Sequence, residues 1–179
     1  YVFSAHKFGA MKGIGFSFIK KNSPYKHLLT GGNQQDSLRS GTENALAVYS
    51  IKLALLDVIE NFNPELMKEL KLRIETELSA SNNKIQIVAK EVNRNLNTIF
   101  FIVKDAKADI LSMKFDMNGI DVSTGSACSS GIIKENRVLI AMGYSKEEAL
   151  ACIRLSFGPK LTLSDLDIII PKVKSVIHQ

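Results

Sequence analysis

The spacing of apolar residues in the first third of the chain predicts a strand, a long loop and a helix. Residues 13–20 partly alternate apolar with small or polar side chains, as a strand or hairpin arm does. Residues 22–38 are polar and rich in turn-forming residues, which indicates a loop long enough to be functional. Apolar residues then recur at three- and four-residue steps, which predicts a helix with Thr42 as its N-cap and Asn61 at its end.

The rest of the chain predicts shorter elements that alternate in type. Pro64 suits the first position of a helix whose apolar stripe reaches Leu78. Strands are predicted at residues 85–88, 98–103, 121–123 and 152–157, and helices at residues 106–117, 135–142 and 146–151. In a last helical segment, Pro171 should kink or interrupt the helix, because it removes the hydrogen bond to Asp167. This alternation favours an α/β or α+β layered fold with a seam at residues 62–64.

Composition places the chain among globular proteins with a buried core. Its 179 residues are 45% hydrophobic and 23% charged, and a mean hydropathy of +0.04 argues against both disorder and a membrane protein. No apolar run approaches the roughly 20 residues that a membrane-spanning helix needs. The length predicts one domain, or one domain and a piece. The chain opens on Tyr1 rather than Met, so we expect the natural protein to have residues before it.

The charged residues and the cysteines restrict the partners and the compartment. There are 23 Lys and Arg against 18 Asp and Glu, and most of the cations are lysines scattered along the chain. With few arginines and no tryptophan, this pattern favours a solvated lysine-rich surface over a nucleic acid partner. Cys128 and Cys152 form neither a CxxC pair nor a disulfide framework. We therefore expect a reducing, cytoplasmic location, with no membrane partner and no metal site.

Two segments in the first half are candidate phosphate-binding sites. Residues 4–7 read Ser-Ala-His-Lys, so a hydroxyl and an imidazole that can hold a phosphate flank a lysine that can condense with an aldehyde. A lysine in a loop is more often a solvated charge. Thr42 lies at the predicted start of a helix, where unpaired backbone amides favour an anion. An ordinary N-cap is the commoner role of such a residue.

In the second half of the chain, the residues around one cysteine and one arginine indicate what these side chains could do. Cys128 is surrounded by Ser, Gly and Ala, which predicts an accessible loop and a candidate nucleophile or sulfur carrier. Cys152 has apolar neighbours and fits a buried structural thiol. Arg154 lies inside an apolar predicted strand, where it needs an anionic partner. A substrate carboxylate and a structural Asp or Glu explain Arg154 equally well.

In this order, the four segments resemble the motifs of the cysteine desulfurases, pyridoxal 5'-phosphate (PLP) enzymes of the class V aminotransferase group. The family's Ser-x-His-Lys is similar to residues 4–7, and its Arg-Ser-Gly-Thr is similar to residues 39–42. Its cysteine loop is similar to Thr-Gly-Ser-Ala-Cys at residues 124–128, and its Arg-x-Ser-x-Gly strand is similar to residues 154–158. The resemblance covers nearly the whole chain.

The resemblance implies an architecture and an activity. The chain would be the C-terminal part of a fold-type-I PLP enzyme with α/β architecture. Residues 1–62 would be the C-terminal end of the PLP-binding large domain, and residues 63–179 would be a small α+β C-terminal domain carrying the cysteine loop. The activity would be removal of sulfur from L-cysteine, giving L-alanine and a persulfide on Cys128. A sulfur-acceptor or iron–sulfur scaffold protein would receive the sulfur, and the full-length enzyme would be a homodimer.

The resemblance also implies roles for five further residues. Lys7 would join PLP through its amine, Ser4 and His6 would contact the PLP phosphate, and Thr42 would add a phosphate contact across the dimer interface. Arg154 would hold the substrate carboxylate. Family members place an Asp, a His and a Gln before the lysine, and none can be mapped here, so we expect the 179 residues alone to be inactive. Two alternatives stay open: a related class V aminotransferase or selenocysteine lyase, and a non-catalytic scaffold with the same fold.

Overall fold

The computed structural model describes residues 1–81, 83–125 and 135–178. The chain divides into two compact units, Tyr1–Phe62 and Asn63–Gln179, each with its own sheet. Cys128 lies outside the described residues. Among the described helices, none combines the length and the apolar character that crossing a membrane requires.

The first unit begins with a short antiparallel hairpin. Strand β1 (Val2–Ser4) pairs with β2 (Gly15–Ser17), and a 3₁₀ helix (Ala5–Phe8) follows β1 directly. β2 is shorter than the strand predicted at residues 13–20, because β1 offers only three residues to pair with. Gly15 cannot carry a side chain here, since a Cβ atom would lie 2.2 Å from the Phe3 carbonyl oxygen.

The helix of the first unit starts later than the sequence predicts. Helix α1 (Ala45–Asn61) has Asn44 as its N-cap, whose side-chain oxygen accepts a hydrogen bond from the Ala47 amide at 3.1 Å. The prediction that Thr42 caps this helix is wrong. Gly41 turns the backbone with a φ of +95°, and Thr42 lies in irregular chain after it. Asn is also a stronger N-cap than Thr, so the later start is the more stable one.

Replacement of Asn44 by alanine is expected to destabilise the first turn of α1 by about 0.5–2 kcal/mol, because the cap hydrogen bond is lost. Amide hydrogen exchange at Ala47 measures this opening directly. Thr42→Ala is the matched control and should leave the exchange rate unchanged. Equal effects of the two substitutions would contradict the assignment of the cap.

The second unit contains a four-stranded antiparallel sheet. The strands are β3 (Ile85–Ile87), β4 (Thr98–Val103), β5 (Ser123–Thr124) and β6 (Cys152–Ser156). Their order is β3–β4–β6–β5, and every neighbouring pair is antiparallel. β4 and β6 form the centre of the sheet, where Ile99, Phe101 and Ile153 are fully buried.

Five helices accompany this sheet in the described part of the second unit. They are α2 (Pro64–Ser81), α3 (Ala108–Met117), α4 (Arg137–Ala141), α5 (Lys146–Leu150) and α6 (Leu163–His178). α6 packs against α2 and α3. It is continuous through Pro171, so of the kink or interruption expected there the interruption does not occur. Pro171 lies on the exposed side, and burial of Leu166, Ile170, Val173, Val176 and Ile177 on the other side compensates for its missing hydrogen bond.

A buried ion pair attaches the connection between β3 and β4 to helix α2. Arg94 donates hydrogen bonds to both carboxylate oxygens of Glu75, at 2.6 and 3.0 Å. Next to this pair, the Lys71 amine donates to the Asn95 carbonyl oxygen. The hydrogen bonds to Glu75 raise the pKa of Arg94. Burial, and then repulsion from Arg94, lowers the pKa of Lys71.

Candidate functional site

The residues predicted to hold a phosphate begin at the end of β1. Ser4 is the last residue of β1, and His6 and Lys7 lie in the 3₁₀ helix that follows. Fully buried Ala5 anchors this turn, and Gly9 ends it with a φ of +104°. The side chains of Ser4, His6 and Lys7 are therefore exposed on a turn with a fixed backbone.

Ser4 and His6 line one cavity of the first unit. It has a volume of about 390 Å³ and is formed with residues of β1 and β2. Lys7 and Thr42 are not part of its lining. The structure thus brings together two of the four predicted cofactor-binding residues. A hydroxyl and an imidazole can donate hydrogen bonds to phosphate oxygens, so these two residues fit the phosphate end of PLP.

The segment before Thr42 is held by its own side chains. The Arg39 guanidinium donates to the Gly41 carbonyl oxygen at 3.1 Å, and the Gly41 amide donates to Gln34 Oε1 at 3.1 Å. Thr42 is exposed, and its hydroxyl has no hydrogen-bond partner among the described residues. The hydroxyl is therefore available to a ligand, although Thr42 does not begin a helix.

Arg154 lies in the middle of the sheet of the second unit. Strand register places Phe100 on one side of it and Ser123 on the other. Its Nη2 donates a hydrogen bond to Ser123 Oγ at 3.0 Å, and the residue is half-buried. Within residues 1–81, 83–125 and 135–178, no carboxylate pairs with Arg154. The planar guanidinium therefore keeps donors that suit a carboxylate ligand.

Ser123 is a functional candidate that the sequence did not reveal. In the sequence it is an ordinary serine before a loop, 31 positions away from Arg154. Only the antiparallel pairing of β5 with β6 puts the two residues opposite each other. Because register depends on which strands are neighbours in the sheet, no local signal could have found this contact.

Cys152 fits a structural thiol. It is fully buried in a cluster that includes Val88, Ile102 and Leu139, and its sulfur donates to the Ala149 carbonyl oxygen at 3.2 Å. Burial raises the pKa of the Cys152 thiol, although a hydrogen bond with the Gly125 backbone acts in the opposite direction. A thiol with a raised pKa is a poor nucleophile at neutral pH. The part of the chain that the structure describes contains no group of His, Cys, Asp and Glu arranged to hold a metal.

Comparisons with known proteins place these residues in a wider context. Residues 1–169 match the family model "Aminotransferase class-V". The chain is 32% identical over 180 residues to "Cysteine desulfurase IscS" of Clostridium botulinum, covering 98% of this chain and 45% of that protein. It is thus similar to a protein of which it spans about half the length.

Two solved structures are similar to this chain over most of its length. One is the "NifS-like protein from Rickettsia africae", with a TM-score of 0.79, 28% identity, and coverage of 99% of this chain and 47% of that chain. The other is "SspA in complex with cysteine", with a TM-score of 0.63, 25% identity, and coverage of 88% and 43%. The predicted fold, with mixed helices and sheets of the fold-type-I PLP enzymes, is confirmed by the first of these likenesses.

Proposed function

This chain belongs to the class V aminotransferase family, since residues 1–169 match its family model, and we propose that it functions as the C-terminal portion of a cysteine desulfurase. Residues 1–62 are the end of the PLP-binding large domain, and residues 63–179 are the small C-terminal domain. The similarity to curated cysteine desulfurases over 98% of the chain supports this assignment. The proposed enzyme is a homodimer and works in the reducing cytoplasm.

The substrate is L-cysteine and the products are L-alanine and a persulfide. When bound, PLP withdraws electrons from the substrate and so weakens its carbon–sulfur bond. Ser4 and His6 donate hydrogen bonds to the phosphate of the cofactor, and Thr42 adds a hydroxyl. Lys7 holds the cofactor covalently and moves a proton at its Nζ atom. Its amine has no hydrogen bond or ion pair among the described residues, so it is available for this role.

The sulfur leaves the substrate through the thiol of Cys128. The Cys128 thiolate would attack the sulfur atom of the bound cysteine, forming a sulfur–sulfur bond as the carbon–sulfur bond breaks; the electron-accepting chemistry that PLP supplies would take up the electron pair of the broken bond. The persulfide then transfers its outer sulfur to an acceptor, such as an iron–sulfur scaffold protein. We assign the carrier role to Cys128 because the chain's other thiol, Cys152, is buried.

The observation that carries the proposal is the environment of Arg154. A half-buried guanidinium held by Ser123, with no carboxylate partner in the described part of the chain, has the chemistry to bind an amino acid carboxylate. The relative SspA is described in complex with cysteine. We therefore assign the carboxylate of L-cysteine to Arg154, with Ser123 fixing the orientation of the guanidinium.

The test measures alanine release from L-cysteine by the natural protein that contains these residues, loaded with PLP. Arg154→Leu should raise KM by about 100-fold, because charge-assisted hydrogen bonds contribute about 1.5–3 kcal/mol. Ser123→Ala should raise KM by about fivefold, as loss of one hydrogen bond of about 1 kcal/mol implies. The control is Ser79→Ala, whose serine is exposed on helix α2 and lies outside the motif segments. An unchanged KM in Arg154→Leu would disprove the role of Arg154.

A second measurement concerns the 179-residue chain by itself. We expect no alanine release from the chain mixed with PLP, because no residue of the chain matches the Asp, His and Gln that the family places before the lysine. An absorption band of lysine-bound PLP together with alanine release would contradict this expectation. If the natural protein with PLP leaves L-cysteine intact but transfers amino groups or acts on selenocysteine, the related class V activities replace the proposed one.

A further inference from the structure

One cavity of the second unit is lined by several lysines. It has a volume of about 570 Å³ and lies where the turn between β4 and α3 meets the end of α6. Four lysines and one histidine contribute to its lining, namely Lys84, Lys104, Lys107, Lys114 and His178. Asp105 is the one acidic residue in the lining. The cavity therefore carries an excess of positive charge.

The excess charge comes from three lysines of the β4–α3 region. Asp105 forms an ion pair with Lys84 at 3.0 Å, so its negative charge is already compensated. Lys104, Lys107 and Lys114 have no side-chain hydrogen bond or ion pair among the described residues. The two helix ends at this cavity, the start of α3 and the end of α6, carry opposite partial charges and offset each other. The lysine side chains therefore make the net charge of the cavity positive.

The floor of the same cavity is apolar. Val103, Leu111 and Val176 line it and belong to the buried core. Ile110 also lines the cavity, and 48% of its surface is exposed to solvent. A single phosphate is far smaller than the cavity, whose volume falls within the range of about 300–1,000 Å³ typical of pockets for larger ligands. A positive rim over an apolar floor fits a ligand with both acidic and apolar groups.

We propose that this lysine-rimmed cavity docks an acidic, amphipathic segment of a partner polypeptide. Carboxylates of the segment pair with Lys104, Lys107 and Lys114, and an apolar side chain packs beside Ile110. The lysine-rich composition by itself predicts only a solvated surface. The concave shape, the unpaired lysines and the exposed isoleucine at one place distinguish this cavity from that surface. The proposal does not depend on the desulfurase activity.

The test uses a fluorescent synthetic peptide in which glutamate and leucine alternate, titrated with the natural protein that contains these residues at about 50 mM salt, where charges are weakly screened. The variant Lys104→Glu/Lys107→Glu should bind about tenfold more weakly. The control Lys68→Glu/Lys90→Glu changes the net charge equally at two exposed lysines outside the cavity and should bind as the parent does. Circular dichroism establishes that both variants are folded.

Two further probes distinguish docking of an acidic, amphipathic segment from binding of a purely acidic segment and from binding of phosphate. A peptide that alternates glutamate with serine should bind more weakly, because it lacks the apolar side chain for the floor. Inorganic phosphate should displace the leucine peptide no better than chloride at the same ionic strength. Equal losses in the two double variants, equal binding of the two peptides, or selective displacement by phosphate would each overturn the proposal. Absence of binding to the parent protein would overturn it as well.

Discussion

Replacement of Glu75 by alanine is expected to lower the free energy of unfolding of the second unit by about 3–5 kcal/mol, the usual cost of removing one partner of a buried ion pair. Only 4% of the surface of Glu75 is exposed, and both of its carboxylate oxygens accept hydrogen bonds from Arg94. Without this carboxylate, Arg94 loses its hydrogen-bonded partner and keeps only the weaker attraction of Glu91. Lys71, which is 7% exposed, also loses the attraction of Glu75.

Hydrogen exchange of the buried β4 amides measures this loss, because they exchange only when the second unit opens. Glu77→Ala is the control, since Glu77 pairs with Lys174 from a position two residues further along the same helix but at the surface. Glu77→Ala should lower the free energy of unfolding much less, because exposed ion pairs are weak. Glu75→Leu combined with Arg94→Leu should recover much of the stability, since it leaves no unpaired charge. Equal losses in Glu75→Ala and Glu77→Ala would contradict the buried-pair interpretation.

Local sequence patterns correctly predicted those elements whose ends are determined by residues within the element. β4 occupies the residues that its apolar run predicts, and α2 begins at Pro64, where a missing amide hydrogen is harmless. The predictions were wrong where the bounds of an element depend on a partner strand, a competing cap residue or packing against the core. β2 is limited by the length of β1, and the start of α1 was decided by Asn44, a stronger cap than Thr42. Pro171 did not interrupt α6 because the opposite side of that helix is buried.

The candidate site was predictable only as far as its residues are neighbours in the sequence. Ser4 and His6 were found together because one short motif carries both, and the structure places both on one cavity. Arg154 stood out as a charged residue in an apolar strand, but its contact with Ser123 requires strand register. The pair of Glu75 and Arg94 likewise joins a helix to a distant connection. Such contacts follow from tertiary packing, which local patterns do not encode.

Replacement of Cys128 by alanine is expected to reduce sulfur release from L-cysteine by about 10³-fold or more in the natural protein loaded with PLP. In the proposed function the Cys128 thiolate takes up the sulfur, and removing a catalytic nucleophile costs other enzymes at least this much. Sulfide release in the presence of a reductant measures the loss, and mass spectrometry of the trapped persulfide measures its position. We expect the added sulfur on Cys128 and none on Cys152.

Cys152→Ala is the matched control, and the structure explains why it should remain active. Cys152 is fully buried and donates to the Ala149 carbonyl oxygen, and burial raises the pKa of its thiol, so it stays protonated at neutral pH. Its replacement removes a sulfur atom from the core and should lower stability without affecting sulfur transfer. If Cys128→Ala retains full sulfur release, the chemistry does not pass through this thiol. The chain would then be assigned to a related class V activity that needs Lys7 but no cysteine nucleophile.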